Sequence, residues 1–233
     1  MAPDGRLRVD RAEALRYLGY SGQELDVDLA GRFDEAVEAC ERELHPRCVH
    51  AVFPLDSERS NECRVVLAGC GLVLEGRDIA RHLEGARDVA LMACTLGVES
   101  ERALRQRAAI SPTDALMYGA AASSLVEAAA DAEEARIVEE AVARGLRTNF
   151  RYSPGYGDLP LDVQPAFLDA LDAPRRIGLV CTEGNLLVPT KSITAVVGLF
   201  EGEPPNASVR SGCASCALRE ACTLRGQGRT CHG

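Results

Sequence analysis

The segment Arg151-Tyr152-Ser153-Pro154-Gly155-Tyr156-Gly157-Asp158 carries the densest run of chemically capable residues in the chain. Pro154 fixes its own φ, and the glycines on either side of Tyr156 allow positive φ and close backbone approach. A turn of this kind is expected to aim backbone N–H groups at one point. Arg151 offers a planar fork that suits a carboxylate. Tyr156 offers an aromatic face that can lie against a cation such as a sulfonium. A ligand shaped like an amino acid, with a carboxylate and a cationic sulfur, complements that set. The same composition also suits a surface loop in which the arginine and tyrosines only pack.

The second concentration of chemistry lies near the C-terminus. Cys213-x2-Cys216-x5-Cys222-x8-Cys231 places four thiols on a short polar stretch. Four soft ligands suit either an iron–sulfur cluster or zinc. Only one Cys-x-x-Cys pair is present, so the double-knuckle zinc pattern is not matched. Arg210, Arg219, Arg225 and Arg229 flank the thiols and would offset the charge of thiolates and of a reduced cluster. His232 could replace Cys231 as the fourth ligand. The other cysteines, Cys40, Cys48, Cys63, Cys70, Cys94 and Cys181, are scattered. They read as core residues, since free cysteine is among the most buried types. His45, Cys48 and His50 lie close in sequence but match no ligand template. Gly69-Cys70-Gly71 superficially resembles a nucleotide-binding turn, without the third glycine that reading needs.

The elements that must position these residues follow from periodicity and punctuation. Leu29, Phe33, Val37, Cys40 and Leu44 recur three and four apart, which predicts a helix over 28–44 with Cys40 on its apolar face. A short helix is expected over 11–19, and others over 77–83, 99–107 and 164–171. Strands are expected at 49–55, 63–67, 88–96, 177–181 and 193–200. Ser111-Pro112-Thr113-Asp114 is a helix start: Ser111 can cap, Pro112 fits the first position and Asp114 suits the positive end of the dipole. From it an Ala-rich helix is expected to about Ala132, then a second over 133–144 with Gly145 as its C-cap. Residues 147–161 read as irregular. Helices and strands mix without regular βαβ alternation, which makes the fold class α+β.

The chain has 233 residues, long enough for a core that needs no disulfide staples. Hydrophobic residues make up 46% and charged residues 26%, a globular rather than disordered balance. The net charge of −9 speaks against nucleic acid or an anionic membrane as partner. No apolar run reaches the length of a membrane span, and Met1 to Asp10 has no signal-peptide core. A cytoplasmic location is the expectation, and there cysteines serve as core or metal ligands rather than disulfides.

The stretch Asn149–Leu161 resembles the activation domain of cobalamin-dependent methionine synthase, which carries an Arg-x-x-Pro-Gly-Tyr signature. Thr182-Glu183-Gly184-Asn185-Leu186-Leu187-Val188-Pro189-Thr190-Lys191-Ser192-Ile193-Thr194 resembles that domain's second signature, Thr-Glu-Ser-x-x-Met-x-Pro. Gly184 and Leu187 stand where the longer enzymes carry Ser and Met. The likeness is closest to short stand-alone relatives. It spans residues 12–200, is specific over 149–200, and is weaker around Cys94-Thr95-Leu96-Gly97.

The resemblance implies a bent α+β domain over residues 1–203 that binds S-adenosylmethionine; it does not cover 204–233, which read as linker and four-Cys tail from composition and spacing. It places Arg151 on the methionine carboxylate, the backbone of Ser153, Pro154 and Gly155 on the adenosyl part, and Tyr156 where the ligand meets the corrin. Glu183, Lys191 and Ser192 match the second signature without separate roles, and Glu127 is a candidate partner for the ligand's amino group. It implies a stand-alone reactivation subunit for a partner that carries cobalamin, the methionine synthase core, with an electron-donor protein as a further partner. The Asp-x-His-x-x-Gly cobalamin signature is absent from the sequence. Two other readings keep parts of this: a zinc-stabilised interaction module, and an activation subunit for another corrinoid methyltransferase.

Overall fold

The computed structural model describes residues 6–20, 22–23 and 25–204. In chain order the elements are α1 (Arg11–Tyr17), α2 (Val27–Glu43), β1 (Arg47–Pro54), β2 (Arg64–Val66), β3 (Val73–Glu75), α3 (Arg77–His82), β4 (Asp88–Thr95), α4 (Val98–Ile110), α5 (Pro112–Ala143), β5 (Arg147–Thr148), α6 (Gln164–Ala170), α7 (Ala173–Ile177), β6 (Val180–Cys181), β7 (Leu187–Val188) and β8 (Ser192–Phe200). One four-stranded sheet has the order β1-β4-β8-β5, and β5 runs antiparallel to β8 with Arg147 opposite Phe200. Two antiparallel pairs, β2-β3 and β6-β7, complete the strands. The expected α+β class is what is found. No described helix is long and apolar enough to cross a membrane.

Three local expectations change. The two helices expected on either side of Ala132 are one continuous α5, because no glycine or proline interrupts the chain between Gly119 and Gly145. The apolar run 177–181, expected as a strand, begins as the end of α7: Pro174 fits its first turn and Gly178, at φ +71°, closes it. Gly69-Cys70-Gly71 is the loop between β2 and β3, closed by Leu67 N–H donating to Leu72 O at 2.9 Å. Both of its glycines have positive φ, +89° and +69°, which accounts for their presence without any nucleotide.

The chain divides into two units. The first comprises residues 6–51, Leu91–Ile137 and Gln164–Ala195. Its core gathers Phe33, Val37 and Cys40 of α2 with Tyr118, Ala121 and Leu125 of α5. The face read from the 28–44 periodicity is therefore the buried one, and Cys40 is a core thiol whose pKa burial pushes up to about 12. Asp26 caps α2 by accepting from Leu29 N–H at 3.0 Å, and Ser111 Oγ accepts from Asp114 N–H at 3.3 Å at the start of α5. The small residues of α5 let β1 approach it. Cys48 Sγ donates to Ala129 O at 3.7 Å, and His50 Nδ1 donates to Glu133 Oε1 at 2.7 Å.

Glu133 is 4% exposed and also accepts from Arg136 at 3.1 Å. The hydrogen bond from His50 holds its carboxyl below the usual range despite burial. A depressed folded-state pKa contributes stability that is present above the unfolded value and is lost as pH falls through the folded one. Glu133→Ala, which removes the buried carboxylate that accepts from both His50 and Arg136, is expected to cost about 3 kcal/mol at neutral pH. Urea unfolding at neutral pH and near pH 3.5 measures this, and the wild type should lose more stability between them than the variant does.

The second unit comprises Val52–Ala90, Val138–Val163 and residues 196–204. Its interior is built from Val65, Leu67 and Leu74 around the β2-β3 pair, Ile79 and Leu83 of the α3 region, and Leu146 after α5. Every residue of β4 is buried, as its nearly continuous apolar run requires.

Candidate functional site

The Arg151 loop belongs to the second unit and is tied to β8 at two points. Asn149 N–H donates to Gly198 O at 3.3 Å, while Gly198 N–H donates to Asn149 Oδ1 at 2.8 Å. Three residues on, Tyr152 and Val196 exchange both backbone hydrogen bonds, at 2.9 and 2.8 Å. Arg151 sits between these ties, half-buried, with its Nη1 withdrawn from solvent. A guanidinium held on a pinned backbone loses little freedom when it meets an anion, which favours its use as a carboxylate clamp.

Ser153 to Tyr156 form a tight turn. Tyr156 N–H donates to Ser153 O at 3.1 Å, Pro154 takes the second position and Gly155 the third, at φ +93°. That is the residue pattern of a type II turn, in which the third position needs positive φ. Gly155 N–H donates to Leu159 O at 2.8 Å. The amides of Gly155 and Tyr156 are thus spent inside the turn, contrary to the expectation that they converge on a ligand. What the turn presents outward is the Tyr156 ring, 62% exposed, edge-on to the Tyr152 ring at 6.4 Å, while Pro154 is buried beneath. Tyr152 Oη donates to Tyr156 O at 3.1 Å and fixes the turn from below.

The second signature lies in the first unit and separates into two places. Glu183 is exposed in the β6-β7 connection, where Thr182 N–H donates to Leu186 O at 2.9 Å and Asn185 adopts φ +62°. Lys191 and Ser192 lead into β8. Lys191 Nζ donates to Ser123 Oγ of α5 at 2.6 Å, and burial lowers its pKa. Ser192 Oγ donates to Pro189 O at 2.6 Å and accepts from Thr95 Oγ1 at 2.7 Å. Thr95 Oγ1 in turn accepts from Gly97 N–H at 3.1 Å, so the Cys94–Gly97 stretch and the second signature share one hydroxyl network. Glu127 is half-buried on α5. Ser123 had no signal of its own in the sequence, while Thr95 lies in the Cys94–Gly97 stretch where the family likeness is weaker.

His82 gave no signal in the sequence, and Asn149 and Asp158 had no role of their own within the Asn149–Leu161 stretch. His82 is 4% exposed and its Nε2 donates to Phe150 O at 3.0 Å. The acceptor is a carbonyl, so the proton is on Nε2. Burial lowers its pKa to about 4, which keeps the ring neutral at ordinary pH. Cys213, Cys216, Cys222 and Cys231 lie outside the described residues. Among the described residues no group of three or more His, Cys, Asp and Glu side chains is arranged to hold a metal ion. Cys48 and His50 are engaged with α5 instead.

No family model matches the chain, and no curated protein matches it. Among solved structures, the crystal structure of the MetH reactivation domain bound to AdoHcy superposes with a TM-score of 0.60, covering 95% of this chain and 82% of that one at 17% identity. The chain has the reactivation-domain fold. The agreement extends over nearly all of the chain while few residues are shared, so the likeness rests on the arrangement of the backbone. The fold expected from the two signatures is the fold observed, although the signatures are confined to residues 149–194.

Proposed function

We propose that this protein is a reactivation subunit for a cobalamin-dependent methionine synthase. It binds S-adenosylmethionine, docks on a partner that carries the cobalamin, and supports the return of inactive cob(II)alamin to methylcobalamin. The observation that carries this reading is the Ser153–Tyr156 turn with Arg151 pinned just upstream, in a chain of reactivation-domain fold. AdoHcy, the molecule held by the structural neighbour, is what S-adenosylmethionine becomes when its methyl group leaves.

The chemistry balances in two steps. An electron-donor protein gives one electron to cob(II)alamin on the partner, forming the nucleophilic cob(I) state. That state takes a methyl cation from the sulfonium of S-adenosylmethionine, the carbon–sulfur bond breaks, and AdoHcy remains. The first step is uphill and the second drains it, so the protein's task is to hold the donor in line when the reduced cobalt forms. Arg151 holds the methionine carboxylate through two parallel N–H bonds. The adenosyl part lies against the backbone of Ser153, Pro154 and Gly155 without a hydrogen bond from the Gly155 amide, which Leu159 O already takes. Tyr156, exposed on the turn, faces the cation and the corrin. No side chain acts as nucleophile or general base.

In this reading residues 1–203 bind the methyl donor and the thiolates of Cys213, Cys216, Cys222 and Cys231 hold an iron–sulfur cluster. When bound, such a cluster supplies single-electron storage. The test is anaerobic mixing of the full chain with a cob(II)alamin-loaded synthase core, a reductant and S-adenosylmethionine, followed by the corrinoid spectrum. The methylcobalamin spectrum is expected only when chain and methyl donor are both present. An identical spectrum without the chain rejects the proposal.

A further inference from the structure

We infer that α3 is a brace that sets the shape of the Arg151–Tyr156 turn, with His82 and Asp158 as its two positioning residues. This deepens the proposed function and rests on it for the ligand.

The brace touches the loop at both of its own ends and in between. At its N-terminus the capping position is Gly76, which has no side chain to offer. The orphan amides of the first turn are taken from the loop instead: Arg77 N–H donates to Asp158 Oδ2 at 2.6 Å and Asp78 N–H to Asp158 Oδ1 at 3.0 Å. Gly76 adopts φ +142°, and a Cβ there would collide with the Asp158 carboxylate, so the glycine is what lets the loop come so near. At the C-terminal end, the His82 ring donates to Phe150 O and packs against the rings of Phe150 and Tyr152, with centroids 4.7 and 5.0 Å away. The backbone carbonyl of His82 accepts from Asn149 Nδ2 at 2.7 Å. Between the ends, Gly157 lies so close that an added Cβ would meet the Tyr152 hydroxyl and come within 2.6 Å of Asp78 Oδ2.

The helix therefore grips the loop before Arg151, through Asn149 and Phe150, and after Tyr156, through Gly157 and Asp158. A six-residue helix is too short to persist alone. Here each partner supplies what the other lacks: the loop caps the helix, and the helix fixes the distance between the loop's ends. A turn held at both ends is preorganised, and a ligand bound by Arg151 and Tyr156 does not have to order it.

The experiment uses the full chain with His82→Leu, His82→Gln, Asp158→Ala and Asp158→Asn. Gln keeps a donor where Nε2 stands, and Asn keeps one of the two capping oxygens. Hydrogen exchange is read over peptides covering 149–158 and, as control, 115–130 of α5. AdoHcy affinity is read by isothermal titration. His82→Leu and Asp158→Ala are expected to speed exchange of the loop about tenfold with α5 unchanged, and to weaken AdoHcy about tenfold. His82→Gln and Asp158→Asn should stay within about threefold of wild type on both readouts. Asp158 is on the surface, so its variants keep the test open if His82→Leu does not fold. Loop exchange unchanged in Asp158→Ala overturns the brace whatever the ligand does. Faster loop exchange in a protein whose wild type gives no heat with AdoHcy keeps the brace and rejects the ligand reading.

Discussion

Arg151→Ala is expected to weaken AdoHcy and S-adenosylmethionine about 100-fold, close to 3 kcal/mol, measured by isothermal titration of each ligand into wild type and variant. The size follows from geometry. A carboxylate leaving water must be given back strong donors, and a guanidinium gives two in the carboxylate's own plane. Arg151 is half-buried and hangs from backbone pinned to β8 by Asn149 and Tyr152, so little is spent on ordering it. Arg151→Lys keeps the charge but only as a point, and should recover about tenfold of the loss. The melting temperature separates lost binding from lost folding. Equal heats in wild type and Arg151→Ala remove Arg151 from the site.

The Arg151 loop also shows which parts of this molecule were legible beforehand. Pro154-Gly155 predicts a turn because φ at each is a local property, and the turn is where it should be. The α2 core face was legible for a similar reason, since a helical period of 3.6 shows directly in Leu29, Phe33, Val37, Cys40 and Leu44. What holds the turn was not legible. His82 and Phe150 are 68 positions apart, and nothing near Ala80-Arg81-His82-Leu83 announces a ring that will stack on a distant loop. Asp158 looked like one more loop acid, because the helix it caps has its own cap position filled by a glycine. The strand at 147–148 exists only through its pairing with β8, and two residues carry no periodicity. The long α5 was cut in two on a change of composition at Ala132–Glu133, although alanine and glutamate both favour continuation. The aim of the turn's amides was misread because composition fixes φ but not which carbonyl an N–H will find.

The tail carries the other large expected effect. Full-length protein purified without oxygen is expected to be brown and to contain iron and inorganic sulfide, and Cys216→Ser or Cys222→Ser is expected to strip both. An iron–sulfur cluster is held by four cysteine thiolates, so replacing one by the harder serine oxygen removes a ligand that the cluster needs. Cys70→Ser, in the β2-β3 loop, is the control and should leave metal content unchanged. Charge argues for a cluster over zinc. The chain as a whole carries −9, yet the stretch from 204 to the end has Arg210, Arg219, Arg225 and Arg229 against Glu220 as its one acid. A cluster with four thiolates becomes more negative each time it is reduced, whereas the charge of a zinc tetrathiolate is fixed because zinc undergoes no redox change. Local positive charge favours the reduced form and raises the reduction potential. A segment built to pass single electrons has a use for that bias, and a purely structural zinc does not. Colourless protein holding one zinc per chain, with no iron, overturns the assignment and leaves the tail a structural clip, while the Arg151 titration stands or falls by itself.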